Sequence, residues 1–219
     1  MPHPKDSPVI GSKWVFIKKY QADGSFEYYK ECLVAQGFSQ CPRFEYLKVF
    51  APIVCLPTLR VILVLVAIHG LHLWLVDISN AYLNGEMDCI VYMEQPEGFV
   101  EGDCKALDCL LKKSLYGTKQ GRNCWNHKMC IILEYIGFIQ TYSNAAIYVY
   151  VQGDVQLILP VFVNNMTFAS KSLDAVKQAI TNLLKHFKLH DLGPTTKILG
   201  IKINQDCAKH SLTISQYQY

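Results

Sequence analysis

A lone acid at the end of an apolar run, and two adjacent amides at the tip of a hairpin, are the residues whose types and placement suggest chemistry. Leu73, Trp74, Leu75 and Val76 are apolar at every position, which describes a strand buried on both faces, and the run ends on Asp77. Farther along, Leu157-Ile-Leu-Pro-Val-Phe-Val163 leads into Asn164-Asn165, and Met166 to Ser170 continues beyond. Carboxylate oxygens brought together from two neighbouring strands can hold a pair of Mg²⁺ ions about 3.5–4 Å apart, one activating a hydroxyl nucleophile and the other bridging a triphosphate. A strand-end Asp with an Asp-Asp tip would supply that charge, whereas here the tip is neutral. On residue types alone a plainer reading stands beside it: Asp77 as a turn residue and Asn-Asn as favourable hairpin chemistry.

The elements that must position these groups belong to a folding chain. Of 219 residues, 51% are hydrophobic and 18% charged, outside the composition of disordered sequences. The net charge of +3 and pI near 8.3 permit nucleic-acid binding without arguing for it, since dedicated binders exceed a pI of about 9. The nine cysteines include no Cys-x-x-Cys pair and no zinc spacing, so reduced thiols are expected. The seven histidines form no pair at metal spacing on one element. Met1 to Asp6 has no apolar core for a signal peptide. The stretch from Leu56 to Val76 is interrupted by Arg60, His69, Gly70 and His72, whereas a membrane span needs about 18 consecutive apolar residues. The chain is expected to be neither secreted nor membrane-bound.

Lys13 to Tyr20 and Phe26 to Val34 flank Ala22-Asp-Gly-Ser25, a hairpin signal. Thr58 to Ile68 reads as a mostly buried helix with Thr58 as N-cap and Gly70 as its stop. Arg60 within it is either a positioned contact to nucleic acid, should the chain bind one, or only a buried salt-bridge partner. His72 to Asp77 is a strand, followed by a brief helical turn over Ser79 to Gly85 and a strand over Cys89 to Glu94. Leu115 to Ile136 has helical spacing and ends before Gly137. Ala146 to Val151 and Val155 to Val163 form a second hairpin, and a tight Asn164-Asn165 turn leads to Met166–Ser170, because Asn tolerates the left-handed conformation. Leu173 to Phe187 is an amphipathic helix, and Lys197 to Asn204 with Ser211 to Ser215 closes the chain. This mixture without strict alternation predicts an α+β fold.

Several blocks follow one another in order: Lys13-Trp-Val-Phe16, Tyr29-Lys-Glu-Cys-Leu-Val-Ala-Gln-Gly-Phe-Ser-Gln40, Phe50-Ala-Pro-Ile-Val54 and Val76-Asp-Ile-Ser-Asn-Ala-Tyr-Leu-Asn-Gly85. Val91-Tyr-Met-Glu-Gln-Pro-Glu-Gly-Phe99, Lys113-Ser-Leu-Tyr-Gly-Thr-Lys-Gln120 and Leu192-Gly-Pro-Thr-Thr-Lys-Ile-Leu-Gly-Ile201 complete the series. Together they resemble the reverse-transcriptase domain of copia-type retrotransposon polyproteins over nearly the whole chain. The resemblance implies a right-hand polymerase with fingers over about residues 10–58 and a palm over about 59–219. It implies a mixed or antiparallel palm sheet with helices on one face, and, since the family would continue past Tyr219, a thumb largely absent and a ribonuclease H missing here. Asp77 then matches the first metal-binding aspartate, and Asn164 and Asn165 replace the aspartates of an aromatic-Val-Asp-Asp box. Tyr82 would crowd the 2′ position of the incoming nucleotide, Lys30 would contact its triphosphate, Gln120 would lie near the nascent base pair, and Leu192 to Ile201 would steady the primer. The implied partners are an RNA/DNA template-primer, deoxynucleotides and the rest of the polyprotein. The implied cofactor is Mg²⁺ or Mn²⁺, and the implied location is cytoplasmic, in virus-like particles, or nuclear.

The departures bear on activity. An amide oxygen can ligate Mg²⁺ but brings no charge, and hard cations depend on carboxylates for affinity. Asp77 alone is a weak metal ligand. Cys32 stands where the family has Arg, which removes a donor to the triphosphate, and Gly121 to Asn123 departs from the usual Ala-Pro-Arg. The expectation is a reverse-transcriptase domain that is catalytically dead. A co-opted, non-catalytic nucleic-acid-binding fragment and a pseudogene-like product are the alternatives.

Overall fold

A computed structural model describes residues 1–2, 7–20, 24–102 and 107–216, and within them fourteen strands accompany three α-helices, the α+β mixture expected from the sequence. In chain order β1 is Val9–Ile10, β2 Ser12–Tyr20, β3 Phe26–Ala35, α1 Leu56–His69, β4 His72–Ile78, β5 Tyr92–Glu94 and β6 Asp108–Leu110. Then come α2 Gly121–Tyr135, β7 Ile139–Gln140, β8 Ile147–Gln152, β9 Val155–Phe162, β10 Asn165–Ser170, α3 Leu173–Leu184 and β11 Leu189–Pro194. The chain ends with β12 Lys197–Ile198, β13 Ile201–Asp206 and β14 Ser211–Ser215. Two units divide it: residues 1–51 with 82–128, and residues 52–81 with 129–219.

In the first unit β2 and β3 pair antiparallel as a long two-stranded ribbon. Of the expected turn, Ala22 and Asp23 lie outside the described residues. Side chains alternate across a ribbon, so Lys13, Lys19 and Lys30 share one face while Phe16, Tyr20 and Tyr29 share the other with Phe26. β5 pairs with β1 and β6 in a small sheet, and Ile10, Ala35, Val91 and Met93 form the core beneath. Gly117 lies at φ 90°, where a Cβ would sit 2.0 Å from the Ala35 carbonyl oxygen, so this turn accepts only glycine. That turn delays the helix expected from Leu115. Apolar periodicity runs on through Leu115 and Tyr116, but the backbone becomes helical only at Gly121.

In the second unit six strands form one antiparallel sheet in the order β11-β4-β10-β9-β8-β7. Two of its inner strands, β4 and β10, are largely apolar on both sides. Leu73 and Ala169 join a cluster with Leu59, Ile62, Leu63 and Val66 of α1. On the opposite side Met166 and Phe168 are completely buried, and α3 lies against β9 and β10. Helices therefore cover both faces of this sheet, which corrects the expectation of helices on one face: a strand apolar at every position leaves neither face fit for water. α3 is amphipathic as expected, with Val176, Ala179, Ile180 and Leu183 inward and the Ser172 hydroxyl accepting from Ala175 N as N-cap.

α1 begins earlier than expected. Cys55 is the N-cap position, Pro57 sits in the first turn, and the Thr58 hydroxyl meets Cys55 Sγ at 3.1 Å rather than capping. Gly70 ends it as expected at φ 60°. The helix is half-buried rather than mostly buried. Arg60 points to solvent with Val61, Val64 and Ile68, so it is no buried salt-bridge partner. β11 was not expected as a strand. Asp191 accepts from Trp74 Nε1 at 2.6 Å and from Gly193 N at 2.9 Å, which holds a bulge between Asp191 and Gly193 against β4. Eight of the nine cysteines lie among the described residues, and all eight are free thiols. No helix among the described residues is long and apolar enough to cross a membrane.

Phe168 is fully buried on β10 and meets Phe138 edge-on with centroids 6.3 Å apart. Phe168→Ala is expected to cost about 3–5 kcal/mol in urea unfolding. A loss below about 1 kcal/mol would mean that β10 is not central to this core.

Candidate active site

β4 and β10 bring the sequence-derived residues together. Asn165 is the register partner of Asp77, and the pairing continues through Met166 with Val76 to Ser170 with His72. Register partners across an antiparallel pair project from the same face, so Asp77 and Asn165 share a face at the end of the sheet. Asn164 lies at the turn between β9 and β10, and its backbone carbonyl accepts from Ile78 N at 2.8 Å. Its side-chain Nδ2 donates to Asp77 Oδ1, a hydrogen bond to a carboxylate. The three residues are thus neighbours, with the amide nitrogen facing the carboxylate.

The turn itself differs from expectation. Phe162 pairs with Asn165, leaving Val163 and Asn164 as the two central residues. The left-handed residue is Val163, at φ 56°, and not an asparagine. Positive φ at the first central position only is the pattern of a type II′ turn, normally met by glycine. A β-branched side chain there stores roughly 1–3 kcal/mol, held by the β9–β10 ladder on one side and the β4 contacts on the other.

The far side of Asp77 is formed by β11, where His190 is its register partner. Ser79 N donates to Lys188 O at 2.9 Å and fixes the end of β4 there. The sequence offered no sign of His190, because β11 is interrupted by Gly193 and Pro194 and lacks apolar alternation.

Lys30, Tyr82 and Gln120 belong to the first unit, and residues 192–201 to the second. Lys30 is exposed on β3 opposite Ile17. Tyr82 is half-buried, its ring 4.6 Å from that of Tyr116, and its carbonyl accepts from the Ser114 hydroxyl. Gln120 is completely buried, donating to Glu45 O at 2.7 Å and accepting from Gln40 Nε2 at 3.1 Å. Its amide ties three segments together. Cys124 nearby is pushed up to about 11 by burial and by Asp88, so it remains a thiol.

Known proteins can now be set beside this geometry. The family model described as reverse transcriptase (RNA-dependent DNA polymerase) matches residues 1–219. The chain belongs to that family. It is 34% identical over 217 residues to a retrovirus-related Pol polyprotein from transposon TNT 1-94 of Nicotiana tabacum, covering 99% of this chain and 16% of that protein. It is 30% identical over 218 residues to the Pol polyprotein from transposon RE1 of Arabidopsis thaliana, covering 15% of that protein. It is also 30% identical over 216 residues to a truncated transposon Ty1-A Gag-Pol polyprotein of Saccharomyces cerevisiae, covering 92% of this chain and 17% of that protein. This reverse-transcriptase domain is therefore of the copia type, and it spans about a sixth of the curated relatives it matches.

Reverse transcriptases use divalent metal ions, and the residues of this domain do not fit a metal pair. Asp77 is the carboxylate at the β4–β10 junction, the amide nitrogen of Asn164 is turned toward it, and Asn165 adds no charge. Among the described residues no three His, Cys, Asp or Glu side chains converge to hold a metal.

Val163→Gly is expected to leave unfolding free energy within about 0.5 kcal/mol of the natural chain or to raise it, because relief of left-handed strain offsets glycine's extra freedom in the unfolded state. Urea titration measures this, and a loss above about 1 kcal/mol would show that Val163 is unstrained.

Proposed function

We propose that this chain is a catalytically silent reverse-transcriptase domain, with the fold of a polymerase and without its metal chemistry. One observation carries the reading: the carboxylate of Asp77 accepts from the Asn164 amide where the family has a second carboxylate. The motif order divides fingers from palm near residue 58. The division into units favours a fingers region that also takes in residues 82–128, with the palm in the remainder. In this reading Lys30 offers a cation to phosphate from the exposed side of β3, and the Tyr82 ring, braced on Tyr116, limits space at the sugar. Gln120 acts as a positioning residue, since its buried amide is already engaged by Gln40 and Glu45. Primer extension on an RNA template with Mg²⁺ or Mn²⁺ is expected to give no incorporation above background. Robust metal-dependent incorporation by the natural sequence would sink the reading. Asn164→Asp with Asn165→Asp, in a Cys32→Arg background, is expected to raise incorporation above background.

A second reading, retained nucleic-acid binding without catalysis, is favoured by the β2–β3 ribbon. Lys13, Lys19 and Lys30 line one face, and Phe16, Tyr20, Phe26 and Tyr29 are half or more exposed on the other. Lys18 shares the ring-bearing face, its Nζ 6.0 Å from the Tyr29 ring centroid, so that face offers a cation for phosphate beside rings for bases, as a single strand requires. Binding to an RNA–DNA hybrid with a single-stranded RNA overhang is expected to weaken with salt, and Lys19→Ala with Lys30→Ala should reduce the log–log salt slope by about 2. An unchanged slope would remove the ribbon from the interface, and no binding at low salt would end this reading.

A further inference from the structure

The mismatch between this site and a metal pair has a positive side. We propose that the Asn164–Asp77 hydrogen bond is a metal-independent clasp, in which an amide N–H balances Asp77 where a divalent cation otherwise would. The junction between β4 and the β9–β10 turn is then held closed without Mg²⁺ or Mn²⁺, and takes up neither. The inference rests on the reading above only for placing the family's metal site at Asp77. It concerns what holds the junction together, and not whether product forms.

Three observations support it. The donor is Asn164 Nδ2, so the amide would have to turn over, breaking the bond, before its oxygen could face a cation beside Asp77. Both partners are otherwise held, since Ile78 N donates to Asn164 O at 2.8 Å and Asp77 registers with Asn165. Little freedom is therefore lost in making the contact, and a hydrogen bond to a charged group between ordered segments keeps most of its strength. Finally, the residues that register with Asp77 from the neighbouring strands are Asn165 and His190, neither of which adds negative charge to draw in a divalent ion. Were residue 164 an aspartate in the same pose, two carboxyl groups would meet at hydrogen-bond distance and would need a cation or a shared proton between them. Nitrogen or oxygen at that one atom thus decides whether the junction requires such a cation or proton.

Thermal melts of the chain in EDTA, and with millimolar Mg²⁺ or Mn²⁺, test the proposal. The natural chain is expected to melt at the same temperature in all three. Asn164→Asp is expected to melt about 4–10 °C lower in EDTA and to recover saturably with Mg²⁺. Asn164→Ala should fall in every condition and respond to none. Asp77→Asn combined with Asn164→Asp, which exchanges donor and acceptor, should melt close to the natural chain in EDTA. This pair also decides the matter if Asn164→Asp alone does not fold. Saturable stabilisation of the natural chain by Mg²⁺ would overturn the clasp, as would an exchanged pair no more stable than Asn164→Asp. A chain that extends primers yet melts without metal response would end the inactivity reading and leave the clasp standing. A silent chain stabilised by Mg²⁺ would do the reverse.

Discussion

The antiparallel register of β4 against β10 is the constraint from which the second unit is built. It sets Asp77 opposite Asn165, Trp74 opposite Phe168 and Leu73 opposite Ala169. Because side chains alternate with a period of two, a slip of one residue would exchange the two faces and send the α1-facing set toward α3. Both faces here are covered by helices, so such a slip has no partly solvated alternative to settle in. The position of the lone acid is therefore a by-product of core packing. Its neighbours were chosen by the need to bury Val76, Met166 and Phe168.

The parts of this arrangement that were legible in the sequence are those encoded by local patterns. The apolar runs of β4, β8, β9 and β10, the stop at Gly70 and the amphipathic α3 all declare themselves within a few residues. What escaped depends on distant partners. β11 is a strand because β4 offers it an edge and Asp191 reaches Trp74, and nothing in Leu189–Pro194 alone says so. The delayed start of α2 comes from Gly117 passing close to the Ala35 carbonyl, a contact with residues far away in sequence. Asp77 and the two asparagines, singled out by type and spacing, do lie together at the β4–β10 junction. His190, the direction of the Asn164 amide and the engagement of Gln120 required coordinates.

Membership of the reverse-transcriptase family and the proposed loss of its chemistry rest on different atoms here. The match covers the whole chain, and with it residues that shape the backbone of the two units, such as Tyr116-Gly117 at its tight crossing and Leu192-Gly193 at the β11 bulge. These positions serve packing and backbone geometry, which neutral amides leave untouched. An Asp-to-Asn change alters hardly any volume and removes a full charge. It can silence a site and leave the fold around it intact.

Val163 extends that point. Its left-handed backbone sits within the Phe162–Asn165 pairing and beside the anchoring of the Asn164 carbonyl to Ile78 N, both of them backbone contacts that any side chain could keep. Shape and charge at this hairpin are consequently separate inheritances. The bend can be passed on unchanged while the residues it displays drift, so a preserved turn is no witness to a preserved activity. Two relatives with superimposable hairpins can differ completely in what those hairpins hold.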